Sequence, residues 1–140
     1  MIIPTITSGI AGPLGVLHMP RFWQKVSLDA VGKLHTDYPA CGAGYDQMML
    51  DGIGLDKDAT LAFIKTDKPT YVQFEAWVKS NASNLGGANE FNAAVEGYNH
   101  DDATREGILG AVGLPGADIR DAVSLNNLED WNDFHAAEIA

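Results

Sequence analysis

The sequence has a single cysteine, Cys41, among its 140 residues. One thiol excludes an internal disulfide and any zinc or iron–sulfur site that needs several cysteine ligands. Basic residues are also scarce: 9 lysines and arginines stand against 19 aspartates and glutamates, a formal net charge of −10. A partner such as nucleic acid or an anionic membrane requires an excess of positive charge, so the composition argues against both classes.

Long unbroken apolar runs are missing as well. The N-terminal stretch, residues 1–19, is apolar but is interrupted by Pro4, Gly9, Gly12, Pro13 and Gly15, and no lysine or arginine comes before Arg21. The stretch therefore predicts neither a secretory signal nor a transmembrane helix. We expect a cytoplasmic protein in which this segment lies extended over the core, anchored by Ile2, Ile3, Ile6 and Ile10.

Strong cofactor motifs are absent too. The chain has no glycine-rich phosphate loop ending in Gly-Lys-Ser/Thr, no dinucleotide-binding fingerprint after a strand, no His-Glu-x-x-His pair and no EF-hand loop. These motifs carry most nucleotide, nicotinamide, zinc-protease and calcium chemistry. The sequence therefore predicts no metal and no organic cofactor.

Apolar residues recur at helical spacing between glycine and proline breaks. The pattern predicts helices over residues 20–34, 45–50, 56–64, 70–78, 89–98 and 102–112, and a last helix opened by Asn126 and Glu129 at capping-box spacing. With 46% hydrophobic residues, a chain of this length buries a core without covalent staples. We predict a mainly α fold: a single compact domain, residues 1–140, of about six short helices with an extended N-terminal segment.

Three tryptophans, Trp23, Trp77 and Trp131, fall on three different predicted helices. Each lies within an apolar stripe, so we expect each to anchor the core. The alternative is a ligand pocket lined by two of them, with Trp23 as the candidate ligand contact.

The first predicted helix carries the strongest candidate site. Arg21 and Lys25 are four residues apart, which places them on one helical face, and His18 lies three residues before Arg21. Two cations on one face would bind an anion. Their local positive charge, opposite to the net charge of the chain, would attract an anionic small molecule to this face. The alternative is that both cations pair with carboxylates of other helices. We expect His18 to be the acid–base group of this site.

The segment after this helix adds four candidates: His35, Tyr38, Cys41 and Asp46. A straight helix would separate His35 from His18 by about 20 Å, so they do not share a metal, and His35 is a candidate ligand contact. Tyr38 or Asp46 would orient His18, although a carboxylate at a helix start also serves as an N-cap. Cys41 is either a small buried hydrophobe or a thiol nucleophile.

The segment around the first helix reads Gly15-Val16-Leu17-His18-Met19-Pro20-Arg21, with Lys25 one turn later. It resembles the Gly-Tyr-Val-His-Leu-Pro-Arg opening of a bacterial family known only as domain of unknown function five-zero-six-nine. The likeness extends over residues 14–134 and includes Tyr45-Asp46-Gln47. It implies no reaction, because the family's activity is not established, but it groups His18, Arg21, Lys25 and Asp46 together. Gln24 stands where the family has aspartate, which puts a charge relay through that position in doubt.

Two functions are compatible with these patterns. The first is a small cytoplasmic enzyme or ligand-binding domain that acts on an anionic organic molecule by cofactor-independent acid–base chemistry. Arg21 and Lys25 would neutralise the ligand, and His18 would transfer the proton. The alternative is a non-catalytic helical module that binds a protein partner or forms a homodimer through apolar side chains, namely Phe22, Trp23, Met48 and Met49.

Overall fold

The computed structural model describes residues 1–140, of which 60% are helical, with no β-strand. Seven α-helices follow one another along the chain: α1 (Met19–Ala30), α2 (Tyr45–Ile53), α3 (Lys57–Asp67), α4 (Tyr71–Asn81), α5 (Ala88–Gly97), α6 (Asp102–Val112) and α7 (Ala122–Glu138). A single 3-10 turn, Leu85–Gly87, precedes α5. The prediction of a mainly helical, single compact domain is confirmed, with seven helices in place of about six.

Side-chain caps explain where several helices begin. Asp56 accepts a hydrogen bond from the Ala59 amide at 2.9 Å, and Thr70 forms a complete capping box with Gln73. Asp101 caps α6 in the same way, through the Thr104 amide at 2.7 Å. Each cap satisfies a backbone N–H that the helix leaves without a partner. The helix starts predicted at these positions are confirmed.

The predicted end of the first helix and the predicted start of the last helix are wrong. The first helix stops at Ala30 rather than Leu34, because the chain turns at Gly32 with a φ of 69°, a conformation that glycine adopts without strain. The last helix begins at Ala122, capped by Asp121, rather than at Asn126. Asn126 lies inside α7, where its Oδ1 is 2.8 Å from the His100 ring.

The main core lies where α1 packs against α3 and α4 and where α2 packs against α5. Thirteen buried apolar residues form it, and Phe22, Met49 and Phe74 are among its fully buried members. A separate cluster of three, Ile108, Leu109 and Leu125, joins α6 to α7. The α6–α7 pair therefore rests on a much smaller apolar contact than the rest of the fold.

The N-terminal segment is extended and held mostly by polar contacts. Of its four predicted isoleucine anchors, Ile3 is buried while Ile2 and Ile10 are exposed. The segment is held instead by a bridge of Ile2 to the strand-like stretch after α1, and by the Gln24 side chain, whose oxygen accepts from the Thr5 and Ile6 amides at 2.9 and 3.1 Å. These contacts fix the residues just before Ser8 against α1.

The apolar surface is not where the sequence predicts it. Phe22 and Met49 are fully buried, so they cannot form an exposed interaction face. Trp131, predicted as a core anchor, is instead 64% exposed on α7, with Phe134 47% exposed on the same helix. None of the seven helices combines the length and the apolar character needed to cross a bilayer.

Candidate functional site

A cavity of about 450 Å³ opens where four parts of the chain meet. Its walls come from the start of α1, the loop that leads into α2, the end of α6 and one face of α7, with Ser8 from the N-terminal segment. Most of the lining residues are polar or charged. The volume is that of a small-molecule site.

His18 is brought to this cavity by an unusual backbone conformation. It is the N-cap of α1 and has a φ of 70°, a left-handed conformation that is uncommon for residues other than glycine. Its amide donates to the Ile10 carbonyl at 3.1 Å, which closes the loop between the two residues. Such a conformation costs on the order of 1 kcal/mol and persists only where surrounding contacts enforce it. Here those contacts are made by the ring, which lies between Ser8 and Asp46.

Ser8, His18 and Asp46 form one hydrogen-bonded chain. The Ser8 Oγ lies 2.9 Å from His18 Nδ1, and the Asp46 Oδ1 lies 2.6 Å from His18 Nε2. An ionised carboxylate only accepts hydrogen bonds, so Nε2 carries the ring proton. In a neutral ring Nδ1 is then the acceptor, and the Ser8 hydroxyl donates to it. All three residues are at most 3% exposed.

The second oxygen of Asp46 is held as firmly as the first. Its Oδ2 accepts from the Lys25 ammonium at 2.5 Å and from the Gly42 amide at 2.7 Å. Lys25 lies two helical turns after His18 on α1, which is why both reach the same carboxylate. Burial opposes ionisation, but the hydrogen bond from His18 and the charge of Lys25 outweigh it and lower the pKa of Asp46 to about 2.

Although His18 contacts a carboxylate, the pKa of its ring is lowered rather than raised as in a simple ion pair. Burial lowers the pKa of the imidazole below its usual 6.5, and the hydrogen bond and charge of Asp46 offset that only in part. Lys25 and Arg21 push the pKa the same way as burial. The ring is therefore neutral at pH 7, which is the form that can take a proton.

The other wall of the cavity carries a second polar network. The Arg21 guanidinium makes two hydrogen bonds to Asp130 on α7, at 2.6 and 3.1 Å, and a third to the Ile6 carbonyl at 2.9 Å. The Tyr38 hydroxyl lies 3.0 Å from Asp130 and 2.9 Å from Asp133. This network joins α1, the following loop and α7.

Tyr38 does not contact His18, which it was predicted to orient. Burial, and then the charge of Asp130, raise the pKa of its hydroxyl well above the usual value. The phenol therefore keeps its proton at neutral pH and acts as a donor to the carboxylates of α7. The residue lines the cavity, but on the wall away from the proton-transfer chain.

Both cations predicted to bind an anion are paired with carboxylates. Arg21 binds Asp130, and Lys25 binds Asp46, which is the alternative that the sequence left open. Asp46 does not cap α2, because Gly44 is the N-cap. An anionic ligand stays a prediction, but the two cations on which it rested are already neutralised.

Three predicted candidates lie outside the cavity. Trp23 faces the other side of α1, where its ring N–H donates to the Pro69 carbonyl at 3.0 Å and its ring meets Tyr71 edge to face. His35 meets the ring of Tyr38 edge to face, with ring centroids 5.9 Å apart, and its Nδ1 accepts from the Asp37 amide at 3.2 Å. Cys41 packs against the main core, and burial raises the pKa of its thiol, which disfavours the reactive thiolate.

Two residues of the site were missed from the sequence. Ser8 belongs to no motif, and only the fold of the segment before α1 brings it to His18. Asp130 belongs to an acidic run that predicts a solvated first turn, yet the true start of α7 at Ala122 moves it to mid-helix, where it is 7% exposed and bound to Arg21. The correct helix start would have identified it as a partner for a cation.

No group of three histidine, cysteine or acidic side chains in the structure has the arrangement of a metal site. The α2 helix begins at the cavity without a side-chain cap, and Gly44 and Tyr45 line the wall there. Its first-turn N–H groups are therefore available as hydrogen-bond donors. The site thus combines a base, a hydroxyl and backbone donors, all from this chain.

Comparison with known proteins gives no family for this chain. No protein-family model matches it, and no curated protein matches it in sequence. The resemblance to the domain of unknown function stays a prediction, and the case for a function rests on the geometry of the cavity.

Proposed function

We propose that the protein is a small cofactor-independent enzyme in which His18 activates the Ser8 hydroxyl to attack an acyl carbon. The observation that carries this proposal is the buried Ser8–His18–Asp46 chain, with contacts of 2.9 and 2.6 Å. A serine hydroxyl is a weak nucleophile unless a base removes its proton as it attacks. The predicted acid–base role of His18 is retained, with Asp46 as its orienting partner.

The order of the three groups matches what acyl transfer requires. Asp46 is ionised and fixes the proton on Nε2, so the lone pair of Nδ1 faces Ser8. When the ring takes up a proton, the adjacent carboxylate stabilises the imidazolium that forms. Lys25 and the Gly42 amide keep the carboxylate in place during that change.

The reaction then has two stages, the acylation of Ser8 and the hydrolysis of the acyl-Ser8 ester. The Ser8 proton passes to His18 as Oγ bonds to the carbonyl carbon and the carbonyl electron pair moves to oxygen. His18 returns the proton to the leaving oxygen or nitrogen as its bond to carbon breaks, which leaves an acyl-Ser8 ester. Water repeats the sequence and releases the acid and free Ser8. The free N–H groups at the start of α2 are the candidate donors to the transient oxyanion.

The proposal keeps two further expectations from the sequence. A cytoplasmic location is part of it. Small-molecule binding is part of it too, because a cavity of about 450 Å³ admits a small organic substrate but not a folded partner.

Covalent labelling tests the proposal directly. A neutral fluorophosphonate reacts with activated serines, and intact-mass spectrometry with peptide mapping locates the label. We expect one label on Ser8 at pH 8, none in Ser8→Ala, and labelling slowed by about 10³-fold in His18→Gln. Ser80→Ala, which changes an exposed serine of α4, is the matched control and should label like the unaltered chain.

Circular dichroism of each variant separates a lost nucleophile from a lost fold. The proposal is overturned if folded, unaltered protein takes no label, or if His18→Gln labels as fast as the unaltered chain. Label on any serine other than Ser8 would overturn it equally.

A non-catalytic interaction module is the second candidate, favoured by one observation. Trp131 is 64% exposed and Phe134 47% exposed on the outer side of α7. Large exposed aromatic side chains at neighbouring positions are typical of association surfaces. Light scattering of the unaltered chain and of Trp131→Gln tests this: a homodimer that the substitution dissociates supports it, and a monomer at all concentrations removes it.

A further inference from the structure

The charge balance of the cavity wall indicates what kind of substrate it takes. Its two permanent cations, Arg21 and Lys25, are each bound to a carboxylate at 2.6 Å or less. Three further carboxylates line the same cavity, from Asp37, Glu129 and Asp133, and none of them is paired with a lysine or arginine. The cavity lining therefore carries more carboxylates than the lysines and arginines of the chain neutralise, and two of them, Asp37 and Glu129, are exposed to solvent.

Hydrogen-bond accounting leads to the same conclusion for Asp133. The Tyr38 hydroxyl lies within 3.0 Å of both Asp130 and Asp133, but it has only one proton to donate. Asp130 already accepts two hydrogen bonds from Arg21. Asp133 therefore has at most the one proton of Tyr38, which it shares with Asp130, and a donor from a ligand would occupy its remaining lone pairs.

The carboxylates of α7 are close enough to change the pKa of Glu129. Burial, followed by the charges of Asp133 and Asp130, raises the pKa of its carboxyl. The carboxyl makes no hydrogen bond within the chain and lines the cavity one turn of α7 before Asp133. A positive charge placed between the two would relieve their repulsion.

We propose that the substrate is a positively charged small molecule, an ester or amide that also bears an amino or ammonium group. Its cationic group lies against Glu129 and Asp133, and its acyl group lies at Ser8. The acyl part rests on the proposed function, whereas the preference for positive charge is a property of the wall and is measured by binding alone. An anionic substrate would face three unneutralised carboxylates, which disfavours it.

Three unreactive probes of similar shape test the charge preference: benzyltrimethylammonium, benzyl alcohol and benzoate. Isothermal titration with the unaltered chain at low salt should give affinities that decrease from the cation to the alcohol to the anion. The Kd values of the cation and the anion should differ by about tenfold or more. Glu129→Gln and Asp133→Asn should each weaken cation binding by about fivefold. Asp67→Asn, an exposed carboxylate of α3, is the matched control for the same loss of charge.

Raising the salt concentration should reduce cation binding and leave alcohol binding unchanged. Tighter binding of benzoate, or no response to both cavity substitutions, overturns the inference. The two proposals can fail separately. If Ser8 is labelled but the three probes bind equally, the enzyme proposal stands and the charge preference fails. If the cation binds preferentially but Ser8 is not labelled, only the charge preference stands.

Discussion

The two polar networks of the cavity both pair carboxylates with a cationic side chain, but the balance of donors and acceptors differs between them. Around His18, one carboxylate meets a lysine, an imidazole and a backbone amide, and every side chain is nearly inaccessible to water. Around Tyr38, one guanidinium and one hydroxyl serve two carboxylates, with Glu129 beside them and no donor of its own. The first network is complete without a ligand and the second is not.

That difference has a physical consequence. A fully partnered buried network holds its members in one geometry, which is what proton transfer requires. A wall with surplus negative charge is costly to the fold and is relieved by an incoming cation. The first network is therefore suited to chemistry and the second to binding, and substitutions should separate the two.

The largest effect is expected from Asp46→Asn. The amide keeps the shape but leaves the buried Lys25 without its carboxylate and lets the ring of His18 adopt the wrong tautomer. We expect stability in urea to fall by about 3 kcal/mol and the rate of Ser8 labelling to fall by about 10⁴-fold. The matched change in the second network, Asp133→Asn, should alter the labelling rate by less than about twofold. Similar losses in both variants would show that the networks do not have separate roles.

The pH dependence of labelling should follow His18. Burial lowers the pKa of its imidazole, so the rate should be half-maximal at a pH below 6.5 and fall about tenfold per unit beneath that point. Asp133→Asn should leave the midpoint in place, because the residue does not touch the ring. A midpoint above 6.5 would contradict the assignment of His18 as the base.

The free energy of unfolding should also fall as the pH is lowered. Because the folded pKa of His18 lies below 6.5, the unfolded chain binds more protons as the pH falls from there. The contribution is complete above pH 6.5 and is lost on acidification through the folded pKa. A second loss follows between the usual 3.8 of an aspartate and about 2, as Asp46 is protonated. Urea titrations across this range should show the first stage disappear in His18→Gln.

The sequence predicts much of the fold because its signals are local. Asp56, Thr70 and Asp101 cap helices from their own first turns, and the apolar spacing of α1 survives in the buried Phe22 and Val26. The spacing of Arg21 and Lys25 likewise places both on one face of one helix, with His18 just before its start. These inferences need no knowledge of other parts of the chain.

The remainder of the site depends on contacts between distant residues. Arg21 and Asp130 are separated by 109 positions, and a misplaced start of α7 concealed their pairing. Ser8 reaches His18 because the Gln24 and Arg21 side chains hold the backbone before it, and the left-handed turn at His18 directs the ring there. No pattern within either segment indicates that contact. Trp131 was misassigned for a related reason, since an apolar residue at helical spacing does not reveal whether another element covers it.

The smallest effect is expected from Tyr38→Phe, which removes only the hydroxyl of the second network. Asp130 keeps Arg21, so we expect a loss of about 1 kcal/mol in urea and an unchanged rate of Ser8 labelling. Asp133 loses its internal donor and becomes free for a ligand, so benzyltrimethylammonium should bind about twofold more tightly. Tyr98→Phe is the control, because that hydroxyl makes no hydrogen bond to another side chain or backbone group. Abolished labelling in Tyr38→Phe would instead place the residue in the proton-transfer chain and join the two networks into one.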